Sequence, residues 1–234
     1  MTVREIRKEL RKLRNKEKAK FLQGFFKTGP GEYGEGDVFL GIKVPELRKI
    51  ARTYREITLE EVETLLHSEI HEERLLALLI LIFIYNNGGD YLKSRIHDFY
   101  LKNTKYINNW DLVDLSAQHI VGEFLMDKSR KPLYGLAKSA LLWDRRIAII
   151  ATFYFIKQDE FSETLKIAKM LLKDKEDLIH KAVGWMLREI GKRHMKTEEG
   201  FLKEHYEKIP RTMLRYAIEK FPEKKRQRYL KGKV

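Results

Sequence analysis

Apolar residues recur at helical spacing along nearly the whole chain, with brief interruptions. In "NNWDLVDLSAQHIV" and its flanks, at about 100° per residue, Ile107, Trp110, Val113, Ala117, Ile120, Val121 and Phe124 fall on one arc. In "LLWDRRIAIIATFYFI" the arc runs through Leu142, Trp143, Ile147, Ile149, Ile150, Phe153 and Ile156. In "DLIHKAVGWMLREIGKR" it runs through Leu178, Ile179, Ala182, Val183, Met186, Leu187 and Ile190. The same reading predicts helices near 3–26, 45–54, 58–67, 70–87, 90–102, 108–127, 131–139, 143–157, 161–173, 177–194, 197–206, 210–220 and 223–231. Alternating runs of Val and Thr, which would mark strands, do not occur. Thr58 is placed to cap "LEEVE", "NNGG" at Asn86 to Gly89 marks a stop, and Pro210 suits a first turn.

The links are short and no low-complexity linker divides the chain, so consecutive helices are expected to pack antiparallel. Helix pairs stacked from end to end predict an all-α fold, an α-solenoid in one domain spanning 1–234. Such a stack would offer a long concave face where unusual polar groups gather. A compact helical bundle is the alternative. One segment departs from the rhythm. "TGPGEYGEGDVFLGIKVP" carries five glycines from Gly29 to Gly41. No Gly-Lys-Ser/Thr follows and no strand precedes, which excludes a Walker loop and a dinucleotide fingerprint. It is an ordered connection expected to need positive φ at several points.

Polar groups stand where a core is expected. Asp114 lies at the rim of the first arc, four residues after Trp110, with Gln118 and Asp111 further round. A carboxylate there costs free energy unless a cation meets it. Arg146 falls near the middle of the second arc and Arg145 at its edge. A buried, unpaired arginine costs on the order of several kcal/mol. It needs a carboxylate or a phosphate, and Asp111 or Asp114 could serve. An ion pair that only joins two helices meets the same requirement. On the third helix Trp185 is displaced toward Lys181, Arg188 and Lys192, an indole in a basic stripe suited to sugars, bases and phosphates. Arg211 and Arg215, one turn apart, read as phosphate contacts or a solvated edge.

Net charge is +13 over 234 residues, a field that draws polyanions. Cysteine is absent, which excludes disulfides and thiolate metal sites and is compatible with an intracellular, cytoplasmic setting. The longest apolar run, "LLALLILIFIY", falls short of the roughly 20 residues of a membrane span, so no membrane partner is expected. The N-terminus is charged at once and has no apolar signal core. His67 and His71 stand four apart, but two imidazoles do not make a zinc site, and no metal is expected. No Gly-x-Ser-x-Gly elbow occurs.

"FFKTGPGEYGEGDVFLGIKVPELRKIA", "NNWDLVD", "WDRRIAI", "VGWMLRE" and "PRTMLRYAIEKF" follow in that order. Together they resemble the AlkD-like DNA alkylation repair family over about residues 5–230. The resemblance implies a curved array of HEAT-like repeats around a concave basic DNA-binding groove. It implies a DNA glycosylase that excises positively charged alkylpurines such as 3-methyladenine and 7-methylguanine from duplex DNA, with the lesion left largely in the helix. It implies catalytic roles for Asp114, Trp110, Trp185 and Arg146, with Arg145 one residue from the matched arginine. Lys181, Arg188, Lys192, Arg211, Arg215 and Arg145 are the expected DNA contacts. No cofactor is expected. No lysine sits in a motif suggesting a Schiff-base lyase step, so the expected enzyme is monofunctional, and a monomer on duplex DNA is the simplest expectation. The alternative is a non-catalytic HEAT-like scaffold for duplex or branched DNA.

Overall fold

The computed structural model describes residues 2–233; among them the regular elements are all helices, and the one extended pairing is an isolated bridge between Val38 and Ile70. The chain forms two compact units, Met1–Leu112 and Val113–Val234. The first holds α1 (Val3–Lys12), α2 (Lys16–Phe25), α3 (Val44–Thr53), α4 (Leu59–Leu66), α5 (His71–Asn87) and α6 (Asp90–Lys102). Helix α7 (Trp110–Ala117) carries residues of both units. The second holds α8 (Lys131–Ala137), α9 (Leu142–Ala151), α10 (Phe153–Lys157), α11 (Ser162–Met170), α12 (Asp177–Arg193), α13 (Met195–His205), α14 (Arg211–Ala217) and α15 (Glu223–Leu230).

In the first unit α5 is the central helix. Leu75 through Leu81 are all buried, so this stretch is apolar on every side. It packs against α3 and α4. Thr58 caps α4 through a full capping box with Glu61, as its sequence predicts. The predicted helix over 3–26 is instead two. It breaks at Leu13–Asn15 because Asn15 donates its N–H to the Leu40 carbonyl (2.9 Å) and caps α2 by accepting from the Lys18 N–H (2.9 Å). Gly41, at φ 82°, lies against this break; a Cβ on it would be 2.2 Å from the Asn15 carbonyl. The glycine-rich segment is thus folded against α2, and the buried carboxylate of Glu72 accepts from the N–H groups of Leu40 (2.9 Å), Gly41 (2.7 Å) and Ile42 (3.2 Å).

In the second unit α12 packs against α9, α13 and α14. Two further predicted helices are interrupted. Residues Gln118–Gly122 follow α7 as a π-helical turn. The helix predicted over 143–157 breaks at buried Thr152, whose hydroxyl donates back to the Ile149 carbonyl (2.7 Å). Among the described residues no helix is long and apolar enough to cross a membrane.

One buried group makes stability sensitive to pH. Glu198 on α13 is 1% exposed, and among the described residues its Oε1 has no hydrogen-bond partner. Burial, with the Glu199 charge beside it, pushes its pKa from the ordinary 4.5 up to about 9, while Arg188 opposes the rise. The native state therefore holds this proton more tightly than the unfolded chain. Stability falls as pH rises from about 4.5 through about 9. Glu198→Gln, which carries no charge to desolvate, should flatten that fall, by on the order of 3 kcal/mol at pH 7 relative to pH 4. Urea melts at pH 5, 7 and 9 measure it; parallel slopes in both proteins would count against a buried neutral carboxyl.

Candidate functional site

The segment leading into α7 is fixed within the first unit by a buried polar network. Asn109 is fully buried; its Oδ1 accepts from the Trp110 N–H (2.8 Å) and its amide donates to Asp37 (3.2 Å). Arg74 donates to the other oxygen of Asp37 (2.5 Å). His71 bridges two carboxylates, Nδ1 at 3.0 Å from Asp37 and Nε2 at 2.8 Å from Asp111. Burial alone would depress the His71 pKa, but the bonds to Asp111 and Asp37 outweigh it and raise it to about 9, so the ring is an imidazolium at neutral pH. Burial pushes the Asp37 pKa the other way, up, but His71 and Arg74 more than pull it back, so it ends below the ordinary carboxylate value. Trp110 is half-buried, stacked on Phe26 (centroids 5.1 Å apart, 19° between planes) and edge-on to Phe25 (6.0 Å).

The inward arginine of α9 meets its carboxylate within the second unit. Arg146 donates Nε to Asp114 Oδ1 (2.9 Å) and Nη2 to Oδ2 (2.8 Å), a bidentate pair, and Nη1 to the Leu178 carbonyl of α12 (2.5 Å). Of the two candidate partners, Asp114 is the one that Arg146 binds; Asp111 belongs to His71. The Arg146 side chain is 6% exposed and that of Asp114 17% exposed. The carboxylate is therefore oriented by a buried cation while keeping an edge open. Arg145 is differently employed. It donates Nε to Asp174 (2.6 Å) and Nη1 to the carbonyls of Ser139 (3.0 Å) and Ala140 (2.9 Å).

The basic stripe of α12 is organised by acids that the periodicity did not single out. The Trp185 N–H donates to Glu189 Oε1 (3.0 Å), which also accepts from Lys192 Nζ (2.6 Å). Arg188 pairs with Glu219, and Lys181 with Asp177 (2.7 Å), whose pKa that bond lowers. On α14 Arg211 donates to the Leu230 carbonyl (2.7 Å), while Arg215 is exposed. The sequence pattern gave Phe153 only as a member of the apolar arc and did not single out Lys157. Lys157 donates to Gln118 (2.6 Å), one turn beyond Asp114, and lies 4.5 Å above the Phe153 ring. That ring packs against Trp185, with centroids 5.7 Å apart. Burial, then the nearby Arg193 charge, lowers the Lys157 pKa, with Glu189 opposing them. Gln118 stood further round the predicted helix than Asp114, but nothing in the sequence pairs it with position 157.

The turn after Gln118 is held close to α9. A Cβ on Gly122 would be 2.2 Å from the Ala151 carbonyl, so only glycine permits the approach. The π-helical turn that follows α7 is thus in close backbone contact with α9, the helix that carries Arg146.

The family described as DNA alkylation repair enzyme matches residues 6–221. Among solved structures the chain is similar to a predicted DNA alkylation repair enzyme from Enterococcus faecalis. The two share 17% identity over 89% of this chain and 96% of that one, with a TM-score of 0.69, a likeness of fold. No curated protein matches the chain significantly.

Proposed function

The chain belongs to the DNA alkylation repair enzyme family, and on that premise we propose that it is a monofunctional DNA glycosylase acting on positively charged alkylpurines in duplex DNA. The observation that carries this reading is the Asp114 carboxylate, gripped at both oxygens by buried Arg146 yet partly open. An N3- or N7-alkylated purine already bears positive charge. When its C1′–N bond breaks, the bonding pair neutralises the departing base, and positive charge passes to the sugar. A fixed carboxylate favours that charge by electrostatics. It also orients the water that adds to C1′ and can take the proton this water sheds.

Arg146 holds the carboxylate in one orientation. Trp185 offers a π face to a cation-like sugar. Lys192, Arg188, Lys181, Arg211, Arg215 and Arg145 are the cations assigned to phosphates, and those now paired with carboxylates exchange partners when DNA binds. No amine is required by this route, so there is no strand-cleaving step. Neutral lesions would need protonation of the leaving base and should be poor substrates, and the lesion need not leave the stack.

The test is release of 3-methyladenine and 7-methylguanine from methylated duplex DNA, followed by mass spectrometry of the free bases. Both are expected, with the abasic strand left intact. Tight DNA binding without release of either base would favour a non-catalytic scaffold.

A further inference from the structure

A carboxylate in the middle of the α12 stripe opposes the field that draws DNA to a chain of net charge +13. Its geometry suggests what it does instead. Glu189 stands one turn after Trp185, its side chain only 12% exposed. Oε1 accepts from the indole N–H at 3.0 Å and from Lys192 Nζ at 2.6 Å, and Arg188 Nε lies 3.8 Å away. Phe153 packs against the indole at 5.7 Å, inclined by 56°. The ring is therefore held by packing from Phe153 and by a directional, charge-assisted bond at its N–H.

We propose that Glu189 is a positioning residue for Trp185: it fixes the plane of the indole and, as a negatively charged acceptor, makes the π face more electron-rich toward a cationic ring. This rests on the reading of Trp185 as a face for the sugar. A hydrogen bond from N–H to a carboxylate pushes electron density into the indole. Attraction of a cation to that face is electrostatic, so it grows with that density. The benefit appears as positive charge develops on the sugar, not in the ground state. Glu189 then has two effects of opposite sign. It weakens phosphate binding by occupying Lys192, and it strengthens the contact used in bond cleavage.

Two variants separate these effects. Glu189→Gln keeps a carbonyl acceptor and loses the charge; Glu189→Leu loses both. Base release under saturating enzyme is expected to slow roughly fivefold in the first and more than about tenfold in the second. Affinity for unmodified duplex should rise in both, and its salt dependence should steepen by about one counterion as Lys192 is freed. A merely structural role would lower rate and affinity together. An independent readout uses the folded protein without substrate. The Trp185 indole N–H resonance, assigned by its loss in Trp185→Phe, should move upfield in Glu189→Leu. An unmoved resonance, an unchanged rate, or a rate that falls in step with affinity would each overturn the proposal. If wild type released no base, the glycosylase reading would fall and the catalytic half of this proposal with it. A moved resonance would then still support the contact, and an unmoved one would reject it.

Discussion

Asp114→Asn is expected to slow release of 7-methylguanine from duplex DNA by roughly 100- to 1000-fold, the loss found when one preorganised electrostatic group is removed from an active site. Affinity for the same duplex should change little, because Asp114 is the negative member of the pair and no phosphate contact is lost. The substitution is nearly isosteric. The amide keeps one oxygen for Arg146 Nε (now 2.9 Å from Oδ1) but turns an NH2 group toward Nη2 (now 2.8 Å from Oδ2). Some stability will go with that second bond, so melting and DNA binding must be measured on the same preparation. A folded, DNA-binding Asp114→Asn protein as active as wild type would remove Asp114 from the mechanism.

How far this site could be read in advance follows from the range of its interactions. That Arg146 points inward and needs an anion is a local fact of α9 and was legible from spacing. Which anion it takes was not. Asp111 and Asp114 lie less than a turn apart, and the choice depends on His71, which binds Asp111 from 40 residues away. The same distance misleads in the other direction. His67 and His71 share metal-like spacing, yet His67 bonds Asn103 (2.7 Å) while His71 lies between two aspartates. On α12 the cations were legible as a stripe, and so in principle were the i,i+3 and i,i+4 acids Glu189 and Asp177. Glu219, which takes Arg188, comes from 31 residues on and carried no signal. The helix array itself was well marked by its period. Its breaks were not, because Leu13–Asn15 yields to the Leu40 carbonyl and Thr152 to a bond with its own helix.

Removing the other half of the pair should have its largest effect on stability. Arg146→Met leaves Asp114 without its bidentate partner and removes the side-chain donor to the Leu178 carbonyl. Breaking one side of a buried pair costs about 3–5 kcal/mol. For a chain of this size that lowers Tm by roughly 10 °C. Because Asp114 keeps an open edge, hydration offsets part of the cost, and the lower end of that range is expected. Replacing both, Asp114→Leu with Arg146→Met, removes the two charges together and should recover most of the lost stability while remaining inactive. Arg146→Lys keeps a cation but not the fork, so it should melt nearer to wild type and still release base slowly, since Asp114 is no longer held at both oxygens. This set separates an ion pair that only joins α7 to α9 from one that presents a carboxylate. In the first case rate would follow Tm through all three variants. In the second the stable double variant is inactive and the Lys variant is slow at a temperature where it is fully folded. A rate that tracked melting across the series would return Asp114 and Arg146 to a purely architectural role.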